Sequence, residues 1–147
     1  LPTLIKRVLH DIAADLRPRI DVQWQTQPRT VQLHPALMRL TIRNLLHNAL
    51  AYAPAETQVA LRISESDEPL ALILEVIDQG PGIPAELLPR LFDKGSRGNH
   101  SHNRPGAGLG LFIVRSVLQL HQGTVEALPL SPHGTVMRLV IPQGLAE

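Results

Sequence analysis

Apolar residues recur at three- and four-residue spacing from Leu4 through Ile5, Val8, Leu9 and Ile12 to Leu16, which predicts a helix over 4–16. Pro18 ends it. Ile20-Asp21-Val22-Gln23-Trp24 alternates apolar and polar and predicts a strand, with Thr30-Val31-Gln32-Leu33 as a short partner. Pro35 suits the first turn of a second helix, running to about Tyr52 before Pro54. Strands follow at 57–63 and 70–77, joined by a polar hairpin loop from Ser64 to Pro69. Pro84 and Leu87-Leu88 suggest a short helix. From Phe92 to Gly108 the chain is polar and aperiodic, and a loop of that length inside a compact domain is often a functional lid. Leu109, Phe112, Ile113, Val117 and Leu120 then predict a third long helix over about 109–121, and strands at 123–128 and 134–141 close the chain. Three helices and about five strands, mostly antiparallel, make an α+β two-layer sandwich.

Composition narrows the class. A chain of 147 residues fits one domain. It is 44% hydrophobic but only 3% aromatic, so its core is aliphatic. A net charge of +1 argues against a general nucleic-acid binder, which would carry a basic excess. Without cysteine there is neither a disulfide framework nor a thiolate metal site. No apolar run approaches the ~18 residues of a membrane span, and LALILEVI is interrupted by Glu75. The chain opens on Leu1 with no signal-peptide pattern. It reads as a soluble domain excised from a larger protein, monomeric in isolation, with any membrane anchor elsewhere in the parent.

Three short segments carry candidate chemistry. On the second helix Met38, Ile42, Leu45, Leu46 and Ala49 form the core stripe, whereas Asn44, Asn48 and Ala51 fall on another sector. Two stacked neutral amides suit Mg²⁺, which keeps several waters and takes few protein ligands beside substrate phosphates. Such a pair can equally cap backbone or face water. Asp78 ends the strand 70–77, where a carboxylate can accept from the exocyclic amine of adenine, and Gly80 and Gly82 permit a tight turn and close approach of a flat base. An ordinary turn has the same composition. Gly106, Gly108 and Gly110 open the third helix, whose free N–H groups and dipole attract phosphate. They follow a polar loop rather than a strand, unlike the glycines of a dinucleotide fold.

In this order the segments resemble the catalytic, ATP-binding domain of bacterial two-component sensor histidine kinases. These kinases sit within the wider ATPase superfamily that includes gyrase. NLLHNALAYAP is similar to the N box, DQGPGIP to the G1 box, LFDKGSRG to an F box, GAGLGLFIV to the G2 box, and GTVMRLVIP to the closing glycine motif. The resemblance covers nearly the whole chain and implies a Bergerat-type fold over residues 1–147, with a lid at about 92–108. It also implies that ATP and Mg²⁺ bind here. Asn48 would hold the metal with Asn44 beside it, and both are the implied catalytic residues. Asp78, Gly80 and Gly82 would take the base. Gly106, Gly108 and Gly110 would line the triphosphate, with further nucleotide contacts at Tyr52, Ile83, Lys94, Arg97, Leu109, Leu111 and Thr135. Gyrase-type relatives are expected to carry a glutamate at position 44 to activate water. An amide cannot be that base, so Asn44 favours phosphoryl transfer to a histidine over hydrolysis.

The resemblance further implies a partner: a histidine-bearing dimerisation domain of the same parent protein, and through it a response regulator. The parent is expected in the cytoplasm, either free or anchored in the inner membrane. His10-Asp11 looks like the start of an acceptor motif, but Pro18 comes too late for one. Two departures stand out. Ala51 occupies a position where the family usually has Lys or Arg, and Gly95 one where the F box usually has a second aromatic. They leave open a nucleotide-sensing module without catalysis. A protein-serine kinase of the anti-sigma type is the other alternative.

Overall fold

A computed structural model describes residues 1–26, 31–67, 70–84, 86, 88, 91–93 and 107–143, with backbone only at 107–109. Its elements are α1 (Pro2–Asp11), β1 (Ile20–Trp24), α2 (Pro35–Tyr52), β2 (Val59–Asp67), β3 (Leu70–Asp78), α3 (Ala107–Leu120), β4 (Thr124–Pro129) and β5 (Thr135–Pro142). The five strands form one sheet in the order β1-β2-β3-β5-β4. Only β1 runs parallel to its neighbour; the other pairings are antiparallel. The helices cover one face, as the two-layer expectation requires. Their buried side chains, among them Met38, Ile42, Leu45, Leu46, Val114 and Leu118, meet Leu61, Ile63, Leu72, Leu74, Leu139 and Ile141 of the strands in an aliphatic core.

Several boundaries differ from the sequence reading, most for a local reason and one because of a distant partner. α1 stops at Asp11 because Ile12 turns extended (φ −87°, ψ 138°). The Arg17 guanidinium takes the released carbonyls, donating to Leu9 (2.9 Å), Ile12 (3.0 Å) and His10 (3.2 Å). Ile12 is fully buried and Leu16 packs against the core, so the apolar spacing reports the core-facing side rather than helical continuity. Val31 to Leu33 is not a strand, and Thr30 lies outside the described residues. The backbone of Gln32 is instead satisfied by the Gln143 side chain, at 2.6 Å and 3.1 Å. β2 begins at Val59, since Thr57 closes a turn onto the Pro54 carbonyl, and it continues through the polar Ser64–Asp67 stretch, which pairs with 70–73. The expected loop therefore shrinks to positions 68 and 69, outside the described residues. The short helix expected near Leu87-Leu88 falls largely outside them as well.

Glu75, which breaks the longest apolar run, faces away from the helices. In register across the sheet stand Gln23, Arg62, Glu75, Arg138 and Glu126. Arg138 approaches Glu75 at 2.8 Å and Glu126 at 3.8 Å, while Arg62 approaches Glu75 at 3.7 Å and donates to Gln23 at 3.1 Å. This alternating row gives the open face a polar spine and leaves the interior entirely to the helix side.

Side chains also tie the helix ends. Asp11 receives two hydrogen bonds of 2.7 Å from Arg39, which joins α1 to α2 and holds the Asp11 carboxyl below the usual carboxylate range. His34 caps α2, its Nδ1 accepting from the Leu37 amide at 3.3 Å. His121, just past α3, accepts the His34 amide at Nε2 (2.9 Å) and meets the Val117 carbonyl at Nδ1 (2.8 Å). A carbonyl only accepts, so His121 carries its proton on Nδ1. At the other end of α2, Arg19 donates to the carbonyls of Leu50 (3.3 Å), Pro54 (2.9 Å) and Thr57 (3.0 Å). Losing these bonds in Arg19→Ala should cost about 1–2 kcal/mol in urea unfolding. Arg19→Lys should recover less than half of that, because an ammonium cannot fork across separated carbonyls. An unchanged midpoint in Arg19→Ala would remove the cap from the account.

Candidate functional site

The candidate site gathers where β3 ends, α2 ends and the β4–β5 hairpin turns. Alternation along β3 sends Leu72, Leu74 and Val76 into the core and Asp78 after them, only 8% exposed. Its Oδ1 accepts the Gly80 amide at 2.8 Å, and among the described residues no donor engages Oδ2. Burial raises the Asp78 pKa above the usual 3.8, and the Gly80 hydrogen bond partly opposes that rise. A carboxylate in this state is a strong acceptor for a donor arriving from outside.

Close packing shapes the turn after Asp78. A Cβ on Gly80 would lie 2.9 Å from Asp78 Oδ1 and 3.2 Å from the Tyr52 carbonyl, so the last residue of α2 abuts the turn. Gly82 has φ +86°, a conformation open to glycine. From the other side comes the hairpin. Thr135, buried, is the register partner of Asp78. Gly134 (φ +125°) lies so close that a Cβ there would collide with the Asp78 carbonyl. His133 Nδ1 sits 3.0 Å from the Gly80 carbonyl. The structure thus brings Tyr52, Asp78, Gly80, Gly82 and Thr135 together, with half-buried Ile83 following in the same turn.

Asn44 and Asn48 lie on α2, half-buried and one turn apart on one face, and neither side-chain amide has a hydrogen-bond partner among the described residues. His47 and Ala51 beside them are exposed. α3 packs against α2. Gly108, Leu109 and Gly110 form its first turn, where backbone N–H groups lack intrahelical acceptors. Leu111 is buried in the core, whereas a Cβ on Gly110 would meet no described atom within 4 Å. That open space and the acceptor-poor helix start fit an anionic ligand such as a nucleotide phosphate. Gly106, Lys94 and Arg97, with Gly95 and nearly all of the expected lid, lie outside the described residues. Phe92 and Asp93 at the lid's start are described, and Asp93 pairs with Arg115 of α3 at 3.2 Å.

Two features of the site had escaped the sequence reading. Gly134 was noted only within a resembling motif, and nothing in a Pro-His-Gly turn signals that His133 reaches a turn 53 residues away. The acceptor-like His10-Asp11 pair finds another use: His10 is exposed and Asp11 is held by Arg39.

Comparison with known proteins agrees with this geometry. The family described as histidine kinase-, DNA gyrase B- and HSP90-like ATPase matches residues 34–145. Sensor protein KdpD of Escherichia coli K12 is 38% identical over 112 residues, 76% of this chain and 12% of that protein. Sensor histidine kinase CusS of Escherichia coli O157:H7 is 35% identical over 128 residues, 84% of this chain and 26% of that protein. The chain therefore spans between about an eighth and a quarter of these relatives' length. The solved mycobacterial sensor histidine kinase MprB superposes with a TM-score of 0.82 at 28% identity, over 99% of this chain and 97% of that one. With the family match spanning most of its length, this chain belongs to the histidine kinase-, DNA gyrase B- and HSP90-like ATPases, as an ATP-binding catalytic domain of the sensor histidine kinase kind.

Proposed function

We propose that residues 1–147 form one ATPase domain, with its lid at about 92–108, that binds ATP with Mg²⁺. Within a longer sensor kinase it then donates the γ-phosphoryl group to a histidine on a separate dimerisation domain, from which a response regulator is phosphorylated. The observation that carries the nucleotide reading is Asp78: buried, ionisable, pinned through one oxygen and, among the described residues, unengaged at the other. Its Oδ2 accepts the adenine amine. Gly80 and Gly82 keep side chains away from the ring, and Tyr52, Ile83, Leu109, Leu111 and Thr135 complete the nucleotide's surroundings.

Asn48, with Asn44 beside it, supplies neutral oxygens for Mg²⁺, which would neutralise phosphate charge when bound. Gly106, Gly108 and Gly110 present backbone N–H groups to the phosphates, with Lys94 and Arg97 contributing from the lid. Neither amide can remove a proton from water, which favours transfer over hydrolysis. No helix among the described residues is long and apolar enough to cross a membrane, and the reading places this domain on the cytoplasmic side of its parent. A second reading, nucleotide sensing without transfer, rests on Ala51, exposed one turn beyond Asn48 where relatives usually carry a cation.

Calorimetric titration with a non-hydrolysable ATP analogue, with and without Mg²⁺, tests the pocket. Asp78→Asn keeps the acceptor for Gly80 but loses the charge, and should weaken binding about 10- to 100-fold with no loss of thermal stability. Binding should also weaken as pH falls, beginning above the 3.8 of an ordinary aspartate. Over the same window the fold itself should gain stability, because a raised folded-state pKa favours the protonated form on folding. Gly110→Ala should stabilise α3 by up to about 1 kcal/mol while weakening the analogue about tenfold or more; unchanged affinity would remove Gly110 from the phosphate site. With an acceptor dimerisation domain added in trans, acid-labile label should appear on that domain and none on this chain alone. Label on this chain alone, or acid-stable label on the acceptor, would overturn histidine transfer.

A further inference from the structure

We propose that His133 is a positioning residue for the base: by donating Nδ1–H to the Gly80 carbonyl, it holds the Asp78–Gly82 turn in the shape that presents Asp78 Oδ2 to a bound nucleotide. This rests on the ATP-binding reading. The direction of the bond follows from its partner. A carbonyl oxygen only accepts, so the ring nitrogen at 3.0 Å must carry a proton. Gly80 is then pinned on both sides of its Cα, its amide to Asp78 Oδ1 at 2.8 Å and its carbonyl to His133.

The turn needs such an external hold. Gly80 and Gly82 bracket Pro81, and glycines give up more conformational freedom on ordering than any other residue. Among the described residues, His133 is the only group that donates to the Gly80 carbonyl. His133 itself stands on firm ground. The hairpin is closed by the Leu130 amide on the Gly134 carbonyl at 3.2 Å, and Gly134 lies tight against the Asp78 backbone, whose strand partner is Thr135. The ring is exposed and makes no contribution to the core. Its loss should therefore loosen the turn and leave the fold intact.

Three proteins decide it: the wild-type chain, His133→Ala, and His133→Asn, whose side-chain N–H can occupy the place of Nδ1–H. Each is titrated with the non-hydrolysable ATP analogue and Mg²⁺, and each is melted. His133→Ala should bind about 3- to 10-fold more weakly, His133→Asn should restore most of that loss, and the three melting midpoints should coincide. Equal affinity of wild type and His133→Ala overturns the proposal. So does a weakening that His133→Asn fails to restore, or one that tracks a lowered melting midpoint. Wild type that binds no analogue at millimolar concentration overturns the ATP reading and the role of His133 with it, and the wild-type titration tells that failure from the others.

Discussion

The side-chain alternation of β3 fixes what is buried and what is offered to a ligand. Hydrogen-bonded on both edges, to β2 and to β5, the strand cannot slip by one residue without turning Leu72, Leu74 and Val76 out of the core. Asp78 is the next inward position in that series, so the register that seals the core also carries a carboxylate out of water. Burying it is costly, and one backbone hydrogen bond offsets only part of the cost. A fold with no use for the charge would gain by replacing it. Perturbed, partly satisfied groups at the rim of a core are where binding chemistry concentrates, and the resemblance of this chain to sensor histidine kinases gives that general rule a specific ligand.

The second requirement is that α2 stay fixed while its amides remain uncommitted. Its ends are tied by groups from elsewhere in the chain: His121 holds the His34 amide at the start, and Arg19 takes the Leu50 carbonyl at the finish. Its core stripe does the rest, with Met38, Ile42, Leu45, Leu46 and Ala49 buried. Asn44 and Asn48 are thereby spared any structural duty among the described residues, which leaves both amides available to an incoming ligand. Pre-organisation by capping at a distance is cheaper than holding the amides themselves, because each side-chain bond to the protein would have to break before a ligand could enter.

How much of this was legible beforehand depends on the range over which each signal acts. Periodicity found all three helices and the strands to within a few residues, because amphipathic patterns are local. Where it failed, a side chain from beyond the periodic segment had intervened. Arg17 ended α1 early although the apolar spacing runs on to Leu16, and Gln143 satisfied Gln32 where a strand had been expected. Polar Ser64, Glu65 and Ser66 read as loop but pair in β2, since strand residues beyond the core need not be apolar. The Gln23–Arg62–Glu75–Arg138–Glu126 row could not be seen at all, for it exists only once the register is set. The site residues divide the same way. Asp78 and the glycines announce themselves by motif, whereas His133 acts across the hairpin and leaves no trace in local sequence.

The glycines give the sharpest separation between fold and function. At Gly123 and Gly134 a Cβ would collide with the carbonyls of Val140 and Asp78, so the backbone approach alone demands glycine. Gly110 is the opposite case. It sits inside a helix, where alanine would be favoured by roughly 1 kcal/mol, and a Cβ there would meet no described atom within 4 Å. Nothing in the packing of the described residues asks for its absence of a side chain. At the first turn of a helix, where backbone N–H groups lack intrahelical acceptors, a phosphate is a ligand whose close approach a methyl group would obstruct. Among the described residues, space beside a glycine that their packing does not require is thus evidence of a different kind from a motif match. It comes from energetics that would oppose this residue if the fold alone were being served.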